Sequence, residues 1–187
     1  MIYPKKLSSK KGELVLKILL IVSILIAILL LVINKFTTPN ISWAAIANGG
    51  IVYIWIIVLY SINKNVNIAG HVMVQTIAIS LLTLFIDYKL GFSGWSINIS
   101  IPIIIIIANV SMLILTIVSH RKYIKYAIYQ LVIVLFSTIP GILLGEDIIK
   151  NKVLSIVASG ISVLNLVLTL CLCARDVKDA IIRKFHI

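Results

Sequence analysis

Six apolar stretches, each about as long as a bilayer is thick, occupy nearly all of this 187-residue chain. A continuous apolar run of about 18 or more residues marks a membrane-spanning helix. Such runs fall at about 14–33, 43–61, 66–86, 97–118, 126–144 and 153–173, with short polar turns between them. Lipid decides the type of element. Backbone groups in hydrocarbon must be satisfied internally, so only helices or closed barrels can span. A barrel needs alternating polarity over about ten residues, and stretch 101–107 shows no alternation. The expected fold is therefore all-α: a polytopic membrane protein of six transmembrane helices.

Composition leaves no alternative solvent for so much apolar surface. The chain is 61% hydrophobic and 12% charged, with a mean hydropathy of +1.15, whereas soluble domains carry about 25% charge. The expected division is a basic N-terminus at 1–13, a single membrane domain at 14–173 and a basic tail at 174–187. The first apolar run follows a basic segment but is too long for the core of a secretion signal, and no small-x-small cleavage site follows it. It is read as a retained helix.

The 17 lysines and arginines sort by loop. Thirteen fall on the side of the N-terminus, including Lys5, Lys64, Arg121, Lys122, Lys125 and Arg183. Four fall on the other side: Lys35, Lys89, Lys150 and Lys152. Positive loops stay cytoplasmic, so both termini are expected inside the cytoplasmic membrane. In the tail, Val177, Ile181 and Phe185 recur every four residues among charges, the pattern of a short amphipathic helix on headgroups. Its basic residues would attract anionic lipid headgroups. The net charge of +11 is spread over tails and turns, so no nucleic-acid partner is expected.

Ionisable groups at bilayer depth are costly, and each is a functional candidate. The third run holds most of them. His71, Gln75, Thr83 and Asp87 recur at multiples of four and share a helix face, read as either a solute path or a packing seam with wet ends. Isolated amides occupy other runs: Asn48, Asn109, Gln130 and Asn165. These either glue helices together or converge on a pocket. If a solute site exists, the candidates are Asn48, His71, Gln75, Asn109 and Asp87, with Asp87 as an outward, cation-facing charge. Ser155, Ser159 and Ser162, with Gly141 and Gly145, are small-residue packing positions, and Pro140 is a kink.

Catalytic chemistry is thin. His71, His120 and His186 lie in separate segments, and no metal-protease, nucleophile-elbow or phosphate-loop motif occurs. Cys171 and Cys173 point about 200° apart on a helix, which suits neither a disulfide nor a chelate. No enzyme activity, metal or cofactor is expected.

Several short motifs recur in a fixed order: Pro39-Asn40-Ile41-Ser42-Trp43, Gln75-Thr76, Ile86-Asp87, Gly94-Trp95-Ser96-Ile97-Asn98, Ile101-Pro102 and Arg183-Lys184-Phe185-His186. On these the chain resembles an uncharacterised family of small multi-pass membrane proteins of Gram-positive anaerobes. Members often open with a zinc ribbon, whose cysteine pairs are absent here. The resemblance implies a six-helix membrane domain and no assigned activity. The expected role is non-catalytic binding or transport of a small solute, or service as a transporter subunit. The alternative is an accessory, sensing or self-protection protein acting through helix contacts with a membrane partner or a second copy.

Overall fold

The computed structural model describes residues 10–62, 67–118, 129–139 and 152–185. Among them there is no strand. The helices are α1 (Lys10–Thr37), α2 (Trp43–Ile62), α3 (Ile68–Lys89), α4 (Ile101–Val118), α5 (Tyr129–Ile139) and α6 (Lys152–Phe185), with a π-helical turn at Ser96–Ser100 leading into α4. Among the described residues, four segments are long and apolar enough to cross a membrane: Gly12–Thr37, Trp43–Ile62, Ile68–Lys89 and Ser96–Val118. At 1.5 Å per residue, 20 residues reach about 30 Å, the thickness of a hydrocarbon core. Within the described residues, Tyr129–Ile139 and Lys152–Leu168 are further apolar helical stretches. The segments expected to form the basic turn at 120–125, the Pro140 kink, and positions Gly141 and Gly145 lie outside the described residues.

The chain divides into two compact units, with the boundary after Val52. In the first, Asn34 makes the corner between α1 and α2. Its amide nitrogen donates to the Thr38 carbonyl (2.7 Å), the Thr38 hydroxyl (3.3 Å) and the Ile41 carbonyl (2.8 Å). Its amide oxygen accepts from the Ala44 N–H (3.1 Å). Trp43 Nε1 completes the corner by donating to the Thr38 hydroxyl (2.7 Å). A short amide that bonds nearby backbone offers the chain an alternative to further helix. That is why α1 stops just past Asn34.

The second unit is built around α4, which packs on α3 and on α6. Ala69, Ala108, Met112 and Ile133 form one buried cluster, and Ile101, Ile105 and Ala158 a second. Helix α3 is capped by Asn67, whose side-chain oxygen accepts from the Gly70 N–H (2.8 Å). Gly70 itself is buried, and a Cβ there would meet the Tyr60 hydroxyl and approach the Tyr129 ring. The missing side chain lets α2 and α5 come close to α3.

The link from α3 to α4 is organised by Asp87. Its carboxylate is fully buried. One oxygen accepts from the Ser93 N–H (3.0 Å), the Ser93 hydroxyl (3.2 Å) and the Gly94 N–H (3.3 Å). The other accepts from the Ser96 N–H (3.2 Å) and hydroxyl (2.7 Å). The turn it holds places Gly91 (φ 95°), Phe92 (φ 53°) and Gly94 (φ 81°) in the left-handed region. For Phe92 that conformation carries a steric cost, offset by its N–H bond to the Asp87 carbonyl (2.8 Å). Beyond it, the Ile101 N–H reaches back to the Ser96 carbonyl, a five-residue step. Pro102 has no N–H to give the Asn98 carbonyl, and a proline ring crowds that position. The wider π turn accommodates both effects.

The tail departs from expectation. In place of a span ending near 173 and a separate short amphipathic helix, α6 runs unbroken for 34 residues. No glycine or proline interrupts 161–185, so nothing in the backbone forces a stop. At about 51 Å, the helix is longer than a hydrocarbon core.

Candidate functional site

Three of the isolated amides meet. Asn109 on α4 donates to the Ile105 carbonyl of its own helix (3.0 Å) and to the Ser162 hydroxyl on α6 (2.8 Å). Asn165, one turn along α6, donates back to the Asn109 backbone carbonyl (2.8 Å) and side-chain oxygen (3.1 Å). Gln130 on α5 donates to the Asn165 carbonyl (3.3 Å). Asn109, Gln130 and Asn165 are each 1% exposed or less. The cluster is therefore dense, and most of its amide groups are bonded to one another. Its chemistry is that of a clasp: buried polar groups take their hydrogen bonds from neighbouring helices. Gln130 Oε1 and the hydroxyls of Ser155 and Ser159 are buried without a partner among the described residues. Ser155 and Ser162 are themselves buried. Gln130 and Asn165 stood outside the sequence-based site. Their signal was present as one amide per apolar run, but not their convergence.

The remaining candidates are scattered. Asn48 belongs to the first unit, where its Nδ2 donates to the Ala27 carbonyl (3.3 Å) and its Oδ1 is buried without a partner among the described residues. His71 is half-buried and meets the Tyr60 ring edge-on, with centroids 5.2 Å apart and planes at 88°. Asp87 does not face outward as a cation-attracting charge. Its carboxylate is turned inward because the turn's N–H and O–H groups surround it. The polar stripe on α3 is accordingly not one wet path: it passes from half-buried His71 to exposed Gln75, half-buried Thr83 and buried Asp87.

Gln75 sits at a cleft between α2, α3 and α4, with a volume of about 200 Å³. Val72, Ile79, Ile104, Ile107 and Ala108 give it apolar walls, and Tyr53, Gln75, Thr76 and Ser111 supply its polar groups. The Thr76 hydroxyl is spent on the Val72 carbonyl (2.7 Å) and the Ser111 hydroxyl on the Ile107 carbonyl (2.8 Å). The Gln75 amide and the Tyr53 hydroxyl have no hydrogen-bond partner among the described residues. Among the described residues, no charged side chain lines the cleft. A pocket with apolar walls and a few unspent polar groups suits a small uncharged ligand. A second hollow, about 250 Å³, lies at the Asn34 corner beside Lys35 and Ser42, but the Asn34 amide is consumed by the turn.

The chain belongs to a family of unknown function (DUF6320), whose profile matches residues 3–187. Membership of an uncharacterised family is what the ordered motifs implied. No curated protein and no solved structure matches the chain.

Proposed function

We propose that this is an integral membrane protein that binds a small uncharged solute in the cleft between α2, α3 and α4. The reading has it cross the cytoplasmic membrane six times with both termini inside, and act without catalysis. The observation that carries it is the presence, in one apolar cleft, of two polar side chains, Gln75 and Tyr53, that have no hydrogen-bond partner among the described residues. The lysine and arginine distribution supports the orientation. The lipid bilayer, with anionic headgroups on the inner side, is the expected surrounding partner. Of the original candidates, only Gln75 carries the binding role in this reading. Asn109 and Asp87 serve helix packing and the turn.

The experiment is native mass spectrometry of the protein released from its own membrane in nanodiscs. A co-purifying small molecule, reduced in Gln75→Met and Tyr53→Phe variants of unchanged thermal stability, is the expected result. A chain that carries no molecule but retains a stoichiometric protein partner would replace solute binding with the accessory role.

A further inference from the structure

We infer that the cleft draws its ligand from the bilayer, and that this ligand is an uncharged amphiphile: a long chain ending in an amide or hydroxyl head. The inference rests on the cleft reading above and adds the class of ligand and its route. The position of the mouth is the first argument. Gln75 is exposed and Ile107 is 60% exposed, so both lie on the outer surface of the helices. Ile107 is eleven residues from either end of the Ser96–Val118 segment, about 16 Å from each. Gln75 is seven residues inside α3, about 10 Å from its start. The opening thus faces the middle of a layer about 30 Å thick, not the water at the helix ends.

The second argument is chemical. An amide exposed to hydrocarbon loses the hydrogen bonds that water would give it, and carries that cost until a partner arrives. Gln75 offers both a donor and an acceptor, and the Tyr53 hydroxyl offers the same pair. A head with one donor and one acceptor answers them, whereas a charged head would be stranded with no counter-charge in the walls. The third argument is size. About 200 Å³ is well above the space that one water needs. That holds a polar head and the first carbons of a chain, whose remainder lies along exposed apolar neighbours such as Ile103 and Val110.

The test uses the full chain in phosphatidylcholine nanodiscs with two photoreactive probes. One is hexadecanamide carrying a diazirine near its head; the other is a short water-soluble amide with the same group. Cross-linked peptides are mapped by mass spectrometry. The long probe should label 72–79 and 104–111, and Gln75→Met, which keeps the side chain's length, should lower that labelling about tenfold, the loss of about 1.4 kcal/mol. Labelling of the cleft by the short probe alone overturns the lipid route and leaves the solute site standing. Labelling of neither segment, or indiscriminate labelling of all exposed helix faces unchanged by Gln75→Met, overturns both. Exclusion of both probes with a dimer that Gln75→Met converts to monomer overturns both as well, and assigns the cleft to a second copy.

Discussion

Removing the Asp87 carboxylate tests whether the α3–α4 turn is held as described. Five donors converge on it, and the two from Ser96 are fully buried. Hydrogen bonds to a charged group contribute about 1.5–3 kcal/mol net, and a buried donor left bare costs about 1–3 kcal/mol. The Ser93 and Gly94 groups are only partly buried, so water can replace the carboxylate there at small cost. The Ser96 hydroxyl can rotate, but its N–H cannot. Asp87→Ala should therefore cost about 3–5 kcal/mol. Asp87→Asn should cost less, about 2 kcal/mol, because one oxygen remains to accept while its new NH₂ faces donors. The assay is reversible unfolding by sodium dodecyl sulfate, followed by circular dichroism in mixed micelles. Ser61→Ala is the control: its exposed hydroxyl bonds its own helix, at the Ile57 carbonyl. In a double-mutant cycle, Asp87→Ala and Ser96→Ala should couple by about 1 kcal/mol. An Asp87→Ala variant as stable as the Ser61→Ala control, within about 0.5 kcal/mol, would refute the assignment of the carboxylate as the organiser of this turn.

Three further outcomes are expected. Gly70→Ala should destabilise by about 1–3 kcal/mol, because its methyl meets the Tyr60 hydroxyl; adding Tyr60→Phe should recover part of that in the same unfolding assay, and a lack of recovery would place the clash elsewhere. Asn165→Leu strips Asn109 of two bonds and should cost about 0.6–2 kcal/mol. Gln130→Leu removes one long bond together with an orphaned acceptor, so it should be near neutral; the reverse order of the two variants would contradict the clasp. Reporter fusions at Lys122 should be cytoplasmic and those at Lys150 external, and the opposite pattern would invert the proposed orientation.

Helix type was legible in the sequence because solvent dictates it: long apolar runs in hydrocarbon have few other ways to bond their backbones. Positions were legible to within a few residues where a turn carried punctuation, as at 34–42. What stayed hidden was direction. His71, Gln75, Thr83 and Asp87 share a helical register, but register does not say which neighbour each will meet. Asp87 looked like an outer charge because it ends an apolar run. It is buried because Ser93, Gly94 and Ser96 fold back over it, a contact set by three loop φ values that no periodicity encodes. The motifs Ile86-Asp87 and Gly94-Trp95-Ser96 read as separate fragments, yet they are two halves of one hydrogen-bonded device. Gln130 and Asn165 were visible as isolated amides; their meeting with Asn109 depends on how α4, α5 and α6 pack. The join of the expected tail to α6 was missed because the charged residues after Cys173 are tolerated in a helix and carry no stop signal.

The corner at Asn34 has a consequence for how the chain is made. Its bonds reach only four to ten residues along the sequence, so the corner has all its partners once Ala44 has been synthesised. The Asn109–Asn165 clasp spans 56 residues and must wait for α6 to arrive. Biogenesis on this arrangement proceeds from locally sealed bends to a late joining of rods, and a ribosome stalled before α6 should leave the early bend intact while the bundle interior is still open.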